Sequence, residues 1–299
     1  MSSGGKAGFV AIIGRPNVGK STLVNRMLGQ KVSIVSPKPQ TTRFRILGIK
    51  TLPHAQMVFV DTPGVHPAGS PLNRELSRIA FEALEGSDLL LWLVEAGSGL
   101  DDDDRFLLEK IKEVEIPKFL VLNKIDLMPR ENLLPIISKL SGLAPFAEIV
   151  PISALKGDNL DRLEGLIIRY LPEGPPLFPQ GQITDQTERN LSAEFIREKI
   201  FQSTHQEIPY AAAVVVDEFK EKPERNLVTI EATIYVEKES QKGILIGKDG
   251  QVLKRIGRSA RLEIENMIGC RVYLRLWVKV KKDWRKDRAA WRQLGYGCA

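Results

Sequence analysis

Cysteine and histidine are scarce in this chain of 299 residues, which holds two cysteines, Cys270 and Cys298, and three histidines, His54, His66 and His205. No second Cys or His stands at metal spacing, so no disulfide framework is implied and each cysteine reads as a buried small hydrophobe or a free terminal thiol rather than a ligand. The histidines have no visible catalytic partners and read as surface or turn residues. No apolar run reaches the length of about eighteen residues that a membrane-spanning helix needs, and Met1–Lys6 lacks the apolar core of a secretory signal. Internal repeats and low-complexity tracts are missing as well. The expectation is a cytoplasmic protein, with peripheral contact at the inner face of the cell membrane open to it only through a basic surface.

What is present is ordinary globular material, 43% hydrophobic and 27% charged. The length exceeds one typical domain, so two cores are expected. The net charge of +6 is uneven: Lys242–Arg292 carries 15 basic against 5 acidic side chains. That excess marks a polyanion partner for the C-terminal part.

The densest chemistry lies near the start. The apolar run Phe9–Ile13 empties into Gly14-Arg15-Pro16-Asn17-Val18-Gly19-Lys20-Ser21-Thr22, a G-x-x-x-x-G-K-S loop between a strand and a helix. Backbone N–H groups and the positive helix end converge there on one point, a phosphate cradle. Lys20 reaches the β- and γ-phosphates, and the Ser21 hydroxyl binds Mg2+. After the helix, Lys31–Arg43 carries Pro37, Pro39 and Gln40-Thr41-Thr42, loop chemistry too long for a plain connector. Two strands, 44–50 and 55–60, are joined by a link so short that only antiparallel pairing fits. The second ends in Asp61-Thr62-Pro63-Gly64, followed by a Pro- and Gly-rich stretch to Asn73 that should be mobile.

Asp61 can hold the Mg2+ shell, Gly64 can offer its N–H to the γ-phosphate, and the Thr41-Thr42 loop supplies a further hydroxyl. Loops held only by that phosphate and its metal are released when it leaves. Apolar strands at 89–94, 118–122 and 149–152 alternate with helical patterns at 102–114, 131–140 and 160–171, which gives an α/β fold with a mixed, mostly parallel sheet. Asp101–Asp104 reads as a capping acidic run. At the end of one strand, Asn123-Lys124-Ile125-Asp126 reads the base: Asp126 accepts from the two N–H groups of guanine and would face a lone pair on adenine. Asn123 braces the loop, Lys124 lies along the purine, and Ser153-Ala154 offers an N–H to guanine O6.

Prolines 172, 175, 176 and 179 interrupt helix and strand, so residues 1–172 form a nucleotide domain, 173–190 a linker and 191–299 a second domain. The second domain reads as α+β with three strands, at 212–219, 227–236 and 271–280. Between its helices at 241–246 and 251–267 lies Gly247-Lys248-Asp249-Gly250. Glycines at both ends let a single-stranded RNA backbone approach, Lys248 meets phosphate, and Ile244, Leu245, Ile246 and Val252 form an apolar floor for bases. Lys254, Arg255, Arg258 and Arg261 extend the basic surface along the helix.

The five nucleotide motifs, including Gln40–Arg43, are similar to those of the translation-factor-like GTPases. Joined to Gly247–Gly250 in a C-terminal α+β domain, and to the tail Leu276–Lys281, they make nearly the whole chain resemble the Era family, bacterial ribosome-assembly GTPases with a KH RNA-binding domain. The resemblance implies a P-loop GTPase domain followed by a KH domain of type II-like topology. It also implies GTP hydrolysis coupled to 16S rRNA binding near its 3′ end during maturation of the 30S subunit, some membrane association, and a monomer.

Family pattern selects Thr42 over Thr41, leaving Lys20, Thr42 and Gly64 as catalytic and Ser21, Thr42 and Asp61 as the Mg2+ set. Val65 follows Gly64 where signalling GTPases carry a water-orienting glutamine. It cannot hydrogen-bond water, so intrinsic hydrolysis should be slow and depend on another group or a cation. Asn17 is a candidate ligand for K+, as in related GTPases with Asn in this position. Two alternatives stay open: a GTP-dependent membrane or cell-cycle regulator whose basic domain binds anionic lipid, and an RNA chaperone with an inert nucleotide.

Overall fold

The computed structural model describes residues 5–36, 38, 41–65 and 71–294; Pro37, Pro39, Gln40, His66 and Cys298 lie outside them. The chain forms two compact units, Met1–Ser33 with Thr42–Asp185, and Ile34–Thr41 with Gln186–Ala299. The first unit runs β1 (Lys6–Ile13), α1 (Lys20–Leu28), β2 (Ile46–Leu52), β3 (Ala55–Asp61), α2 (Pro71–Glu82), β4 (Leu89–Glu95), α3 (Asp102–Lys112), β5 (Lys118–Asn123), α4 (Leu133–Ser141), β6 (Glu148–Pro151) and α5 (Leu160–Tyr170). Its six strands lie in the order β2-β3-β1-β4-β5-β6. All pairs are parallel except β2 with β3, the pair closed by the short link.

The central strands are apolar along most of their length, with polar residues mainly at their ends, because both sheet faces are covered. Alternate residues feed two cores. Val10, Ile12, Leu91 and Val121 pack with Leu23 of α1 and Leu163 of α5. Ala11, Ile13, Trp92 and Leu120 pack with Ala80 of α2, Leu107 of α3 and Leu140 of α4. All loops that follow the parallel strands therefore leave the sheet on one edge, which gathers the motifs.

Two stretches read differently in the structure. Pro71–Asn73 is helical where the sequence led to an irregular stretch, because Pro71 opens α2, where its missing N–H removes no helical bond. Within the expected linker, the buried Gln56 side chain accepts from Leu177 N (2.7 Å) and Phe178 N (2.9 Å) and donates to Phe178 O (2.9 Å). Ile49 N donates to Ile183 O (2.8 Å), and the Phe178 ring meets Phe9 edge-on. The stretch up to Asp185 is thus strapped to the first unit.

The second unit contains α6 (Glu188–Ser203), α7 (Ile208–Ala211), β7 (Ala213–Lys222), β8 (Leu227–Val236), α8 (Glu239–Ile246), α9 (Gln251–Ile268), β9 (Arg271–Val280) and α10 (Arg288–Gln293). Its sheet is ordered β7-β8-β9, antiparallel then parallel. One core joins Phe195 and Ile200 of α6, Leu245 of α8 and Ile256 and Ile264 of α9 to the inward residues of the strands. Ile34 belongs to the same core, and Val35 N donates to Glu198 Oε1 at 2.8 Å. Among the described residues no helix is long and apolar enough to cross a membrane.

Gln56→Leu leaves the N–H groups of Leu177 and Phe178 and the Phe178 carbonyl without the partner they have in the buried Gln56 side chain, and is expected to destabilise the first unit by about 2 kcal/mol. Urea unfolding measures the loss, and limited proteolysis should find new cleavage within 172–180.

Candidate functional site

The phosphate loop is shaped by contacts that leave no room for side chains. A Cβ on Gly14 would lie 2.6 Å from Leu93 O, and one on Gly19 would lie 2.2 Å from Asn123 Nδ2. Gly19 has φ +106° and opens α1, a conformation that disfavours any other residue. Lys20 is buried at the first helical position and donates to Gly14 O (2.9 Å) and Arg15 O (3.0 Å). Burial lowers its pKa to about 8 against the opposing pull of Asp61 and Asp104. Val18 is buried, whereas Asn17, with φ +60°, is exposed at the tip.

Ser21 Oγ lies 3.0 Å from Thr42 Oγ1, so the structure brings two of the expected metal ligands together. Asp61, the third, is fully buried at the end of β3, and neither carboxylate oxygen has a hydrogen-bond partner. Burial pushes its pKa up, with Ser21, Lys20 and Ser33 opposing the shift. An orphaned carboxylate beside two hydroxyls is a hard-oxygen donor set, and its chemistry fits Mg2+. Thr62 Oγ1 donates to Ile12 O (2.7 Å), fixing the loop after β3 against β1. Gly64 follows, where a Cβ would meet Pro16 Cγ at 2.7 Å. Val65 turns away: its side chain is fully buried in the core with Ala11, Ile13 and Trp92.

At the loop expected to read the base, Asn123 is the brace. Its Nδ2 donates to Val18 O (2.7 Å), and its Oδ1 accepts from Ala154 N (2.9 Å). Ser153 Oγ donates to Asp126 Oδ1 (2.6 Å) and accepts from Lys156 N (3.0 Å). Lys124 adopts φ +67° and pairs with Glu95 Oε2 at 2.8 Å.

Glu95 escaped the sequence reading. It ends β4 and also meets Arg15 Nη2 at 3.2 Å, so one carboxylate links the phosphate loop to the base-reading loop. Arg15 additionally pairs with Asp101, donates to Ser98 Oγ (2.7 Å), and has Nε 3.5 Å from Asp104. Asp101 also caps α3, accepting from Asp104 N at 2.9 Å. The acidic run is therefore both a helix cap and the counter-charge of Arg15. Position at a strand's carboxyl end was the signal that could have found Glu95.

In the second unit, the Gly247–Gly250 turn stands clear, with Lys248, Asp249, Lys254, Arg255 and Arg258 all exposed. Gly247 (φ +71°) lies so close to Val252 that a Cβ would sit 2.5 Å from its Cγ2. Asp249 and Gly250 are left-handed too, at φ +52° and +72°. One expectation fails: Leu245 is no floor for a ligand, because it is fully buried in the core, whereas Ile244 on the next position is exposed.

Residues 9–124 match the family model described as 50S ribosome-binding GTPase, and 207–285 match that of the KH domain. The chain is 54% identical to GTPase Era of Syntrophus aciditrophicus over 300 residues, covering 99% of this chain and 98% of that protein. The chain belongs to the Era family of GTPases. The Era protein of Geotalea uraniireducens is 51% identical over 97% of this chain and 98% of its own.

Two solved Era structures each superpose with a TM-score of 0.95 at 46% identity, covering 98% of this chain and all of theirs. One is an Aquifex aeolicus Era variant bound to GDP and AlF4−; the other is Era with MgGDPNP and nucleotides 1506–1542 of 16S ribosomal RNA. As a member of the family this chain is a P-loop GTPase with a C-terminal KH domain, and it binds GTP and GDP.

Two outcomes follow from the Glu95 and Asp104 geometry. Glu95→Gln removes the charge that both Arg15 and Lys124 face, and is expected to weaken GDP and GTP alike by about tenfold in a direct binding titration. Asp104 is raised to about 6, mainly by burial and secondarily by Asp101. A carboxyl raised on folding binds its proton more tightly in the folded state, so its contribution to stability declines as pH rises from about 4 through 6. Asp104→Asn cannot titrate. Urea midpoints should therefore shift in favour of the variant between pH 5 and pH 7.5, and parallel pH profiles would refute this role.

Proposed function

We propose that this chain is a GTP-driven switch that binds 16S rRNA near its 3′ end through the Gly247–Gly250 turn and assists assembly of the 30S subunit. The observation that carries the reading is the match, over almost the whole chain, to Era in complex with MgGDPNP and 16S rRNA nucleotides 1506–1542. The exposed turn with its flanking cations, and the excess of 15 basic over 5 acidic residues in Lys242–Arg292, support it.

In this reading residues 1–172 are the GTPase domain, 173–190 connect it to the RNA-binding residues 191–299, and the part of that connection up to Asp185 is strapped to the first unit. Gly14–Thr22, Asp61–Gly64 and the backbone at Val65 surround the phosphates. Asn123, Lys124, Asp126, Ser153 and Ala154 hold the guanine. Ser21, Thr42 and Asp61 hold Mg2+, which supplies charge neutralisation at the β- and γ-oxygens. Lys20 stabilises charge on the same oxygens, Thr42 fixes its loop to the occupied site, and Gly64 presents its N–H to the γ-phosphate. Loss of the γ-phosphate frees these loops.

Val65 packs into the core and cannot orient water, so intrinsic turnover is slow and Asn17 recruits K+ beside the phosphates. The protein acts as a cytoplasmic monomer with peripheral contact at the inner membrane face. Lipid binding as the main role lacks support, because an anionic surface needs only charge and not a glycine-flanked turn.

Lys248→Glu places a second acid beside Asp249 and is expected to weaken binding of an RNA with the sequence of nucleotides 1506–1542 by more than tenfold, with GDP affinity unchanged. Unchanged RNA affinity would overturn the assignment of the turn. Single-turnover phosphate release should be faster in potassium than in sodium buffer, and equal rates would remove the cation from the mechanism.

A further inference from the structure

Strand β9 carries a pattern that the Gly247–Gly250 turn does not use. Its inward residues Leu274, Leu276 and Val278 pack against the core, with α9 close enough that a Cβ on Gly257 would lie 3.4 Å from Leu276 Cδ1. Because successive side chains point to opposite faces, Arg271, Tyr273, Arg275, Trp277 and Lys279 share the other face, and all five are exposed. Tyr273 and Trp277 are each 51% exposed, unusual for large aromatics on a strand. The other tryptophans are buried.

Between the two rings stands Arg275. Its guanidinium is held by Glu231 of β8 at 2.8 Å and lies 5.8 Å from the centre of the Tyr273 ring. Three planar groups therefore follow one another along the strand at intervals of about 6.6 Å, two residues of rise in a parallel pair. That interval is close to twice the spacing of about 3.4 Å per nucleotide in a stacked strand, so bases meeting successive planes must come from an extended, unstacked chain. Arg271 and Lys279 flank the planes and supply positive charge where a phosphodiester backbone would run. Single-stranded binding sites combine these elements: aromatic or guanidinium planes for bases and cations for the backbone.

We propose that the outer face of β9 is a second RNA-contact surface, which takes a single-stranded segment by stacking on Tyr273, Arg275 and Trp277. This rests on the RNA-binding reading above and extends it, because the Gly247–Gly250 turn lies among the helices on the covered face of the sheet while these planes look out from the opposite face. Charge complementarity commits the surface to RNA: the stripe carries three cations, and Glu231 offsets only one.

Trp277 makes the test direct, being the one tryptophan that a neutral quencher can reach readily. With the full-length protein and a GTP analogue, acrylamide quenching of tryptophan emission is measured with and without saturating RNA that extends an RNA of the sequence 1506–1542 by an unstructured oligouridylate. Protection of the quenchable fraction is expected. Tyr273→Ala and Trp277→Ala should each weaken binding by about tenfold, the scale of one lost base stack. Trp277→Phe should recover most of that loss, which a purely structural role would not require.

RNA binding by the parent with no protection and no effect of either alanine variant would overturn the proposal and leave the turn assignment standing. Absence of RNA binding by the parent would overturn both. Protection by RNA-free small-subunit proteins, with none by RNA, would overturn it in favour of a protein partner.

Discussion

The nucleotide site depends on one side-chain amide. Asn123 donates to the phosphate loop at Val18 O and accepts from the last loop at Ala154 N, while its own backbone ends β5 and leads into Lys124 and Asp126. A buried amide that satisfies groups on two other loops fixes their separation far more tightly than packing alone, because releasing it strands polar groups away from water. Gly19 is the cost of this arrangement. The amide nitrogen occupies the space its Cβ would take, so the phosphate loop can turn into α1 only with glycine at that point.

A second tie of another kind runs parallel to the first. Glu95, Arg15 and Lys124 connect the same two loops by charge, at the solvent side of the site, where each contact is worth little alone but the three act as a unit. Arg15 keeps its charge because Asp101, Asp104 and Glu95 together outweigh the burial that would lower its pKa. The phosphate loop is thereby held from beneath by an amide and from its rim by an acidic cluster, before any nucleotide contributes.

The nucleotide motifs were legible in the sequence because each is a short polar signal punctuating an apolar strand, and the parallel topology carries every such punctuation to one edge. Strand β9 was legible to the residue, since period-two alternation between charge and apolar side chains leaves one register. Less was visible where the determinant is distant. Gln56 sits in an apolar strand and gives no hint that its partner is Phe178. Ile34–Thr41 reads as loop chemistry, yet Ile34 enters the core of the second unit, a consequence of tertiary packing that no local pattern encodes. Leu245 has the same composition signal as Ile244 beside it, and only the phase of α8 against the sheet sends one inward and leaves the other in solvent.

The phase of the chain after β3 has a similar effect on chemistry. Gly64 is pressed against Pro16, and the next residue, Val65, is drawn into the core among Ala11, Ile13 and Trp92. The difference from signalling GTPases at this position is therefore one of environment as much as of side chain. A glutamine at 65 in this backbone would meet apolar groups and leave its amide unsatisfied, a cost of about 1–3 kcal/mol, before it reached any water at the nucleotide. The residue type and the backbone that buries it belong together, so the slow turnover proposed above would follow from the fold around Gly64 as much as from the missing side-chain amide.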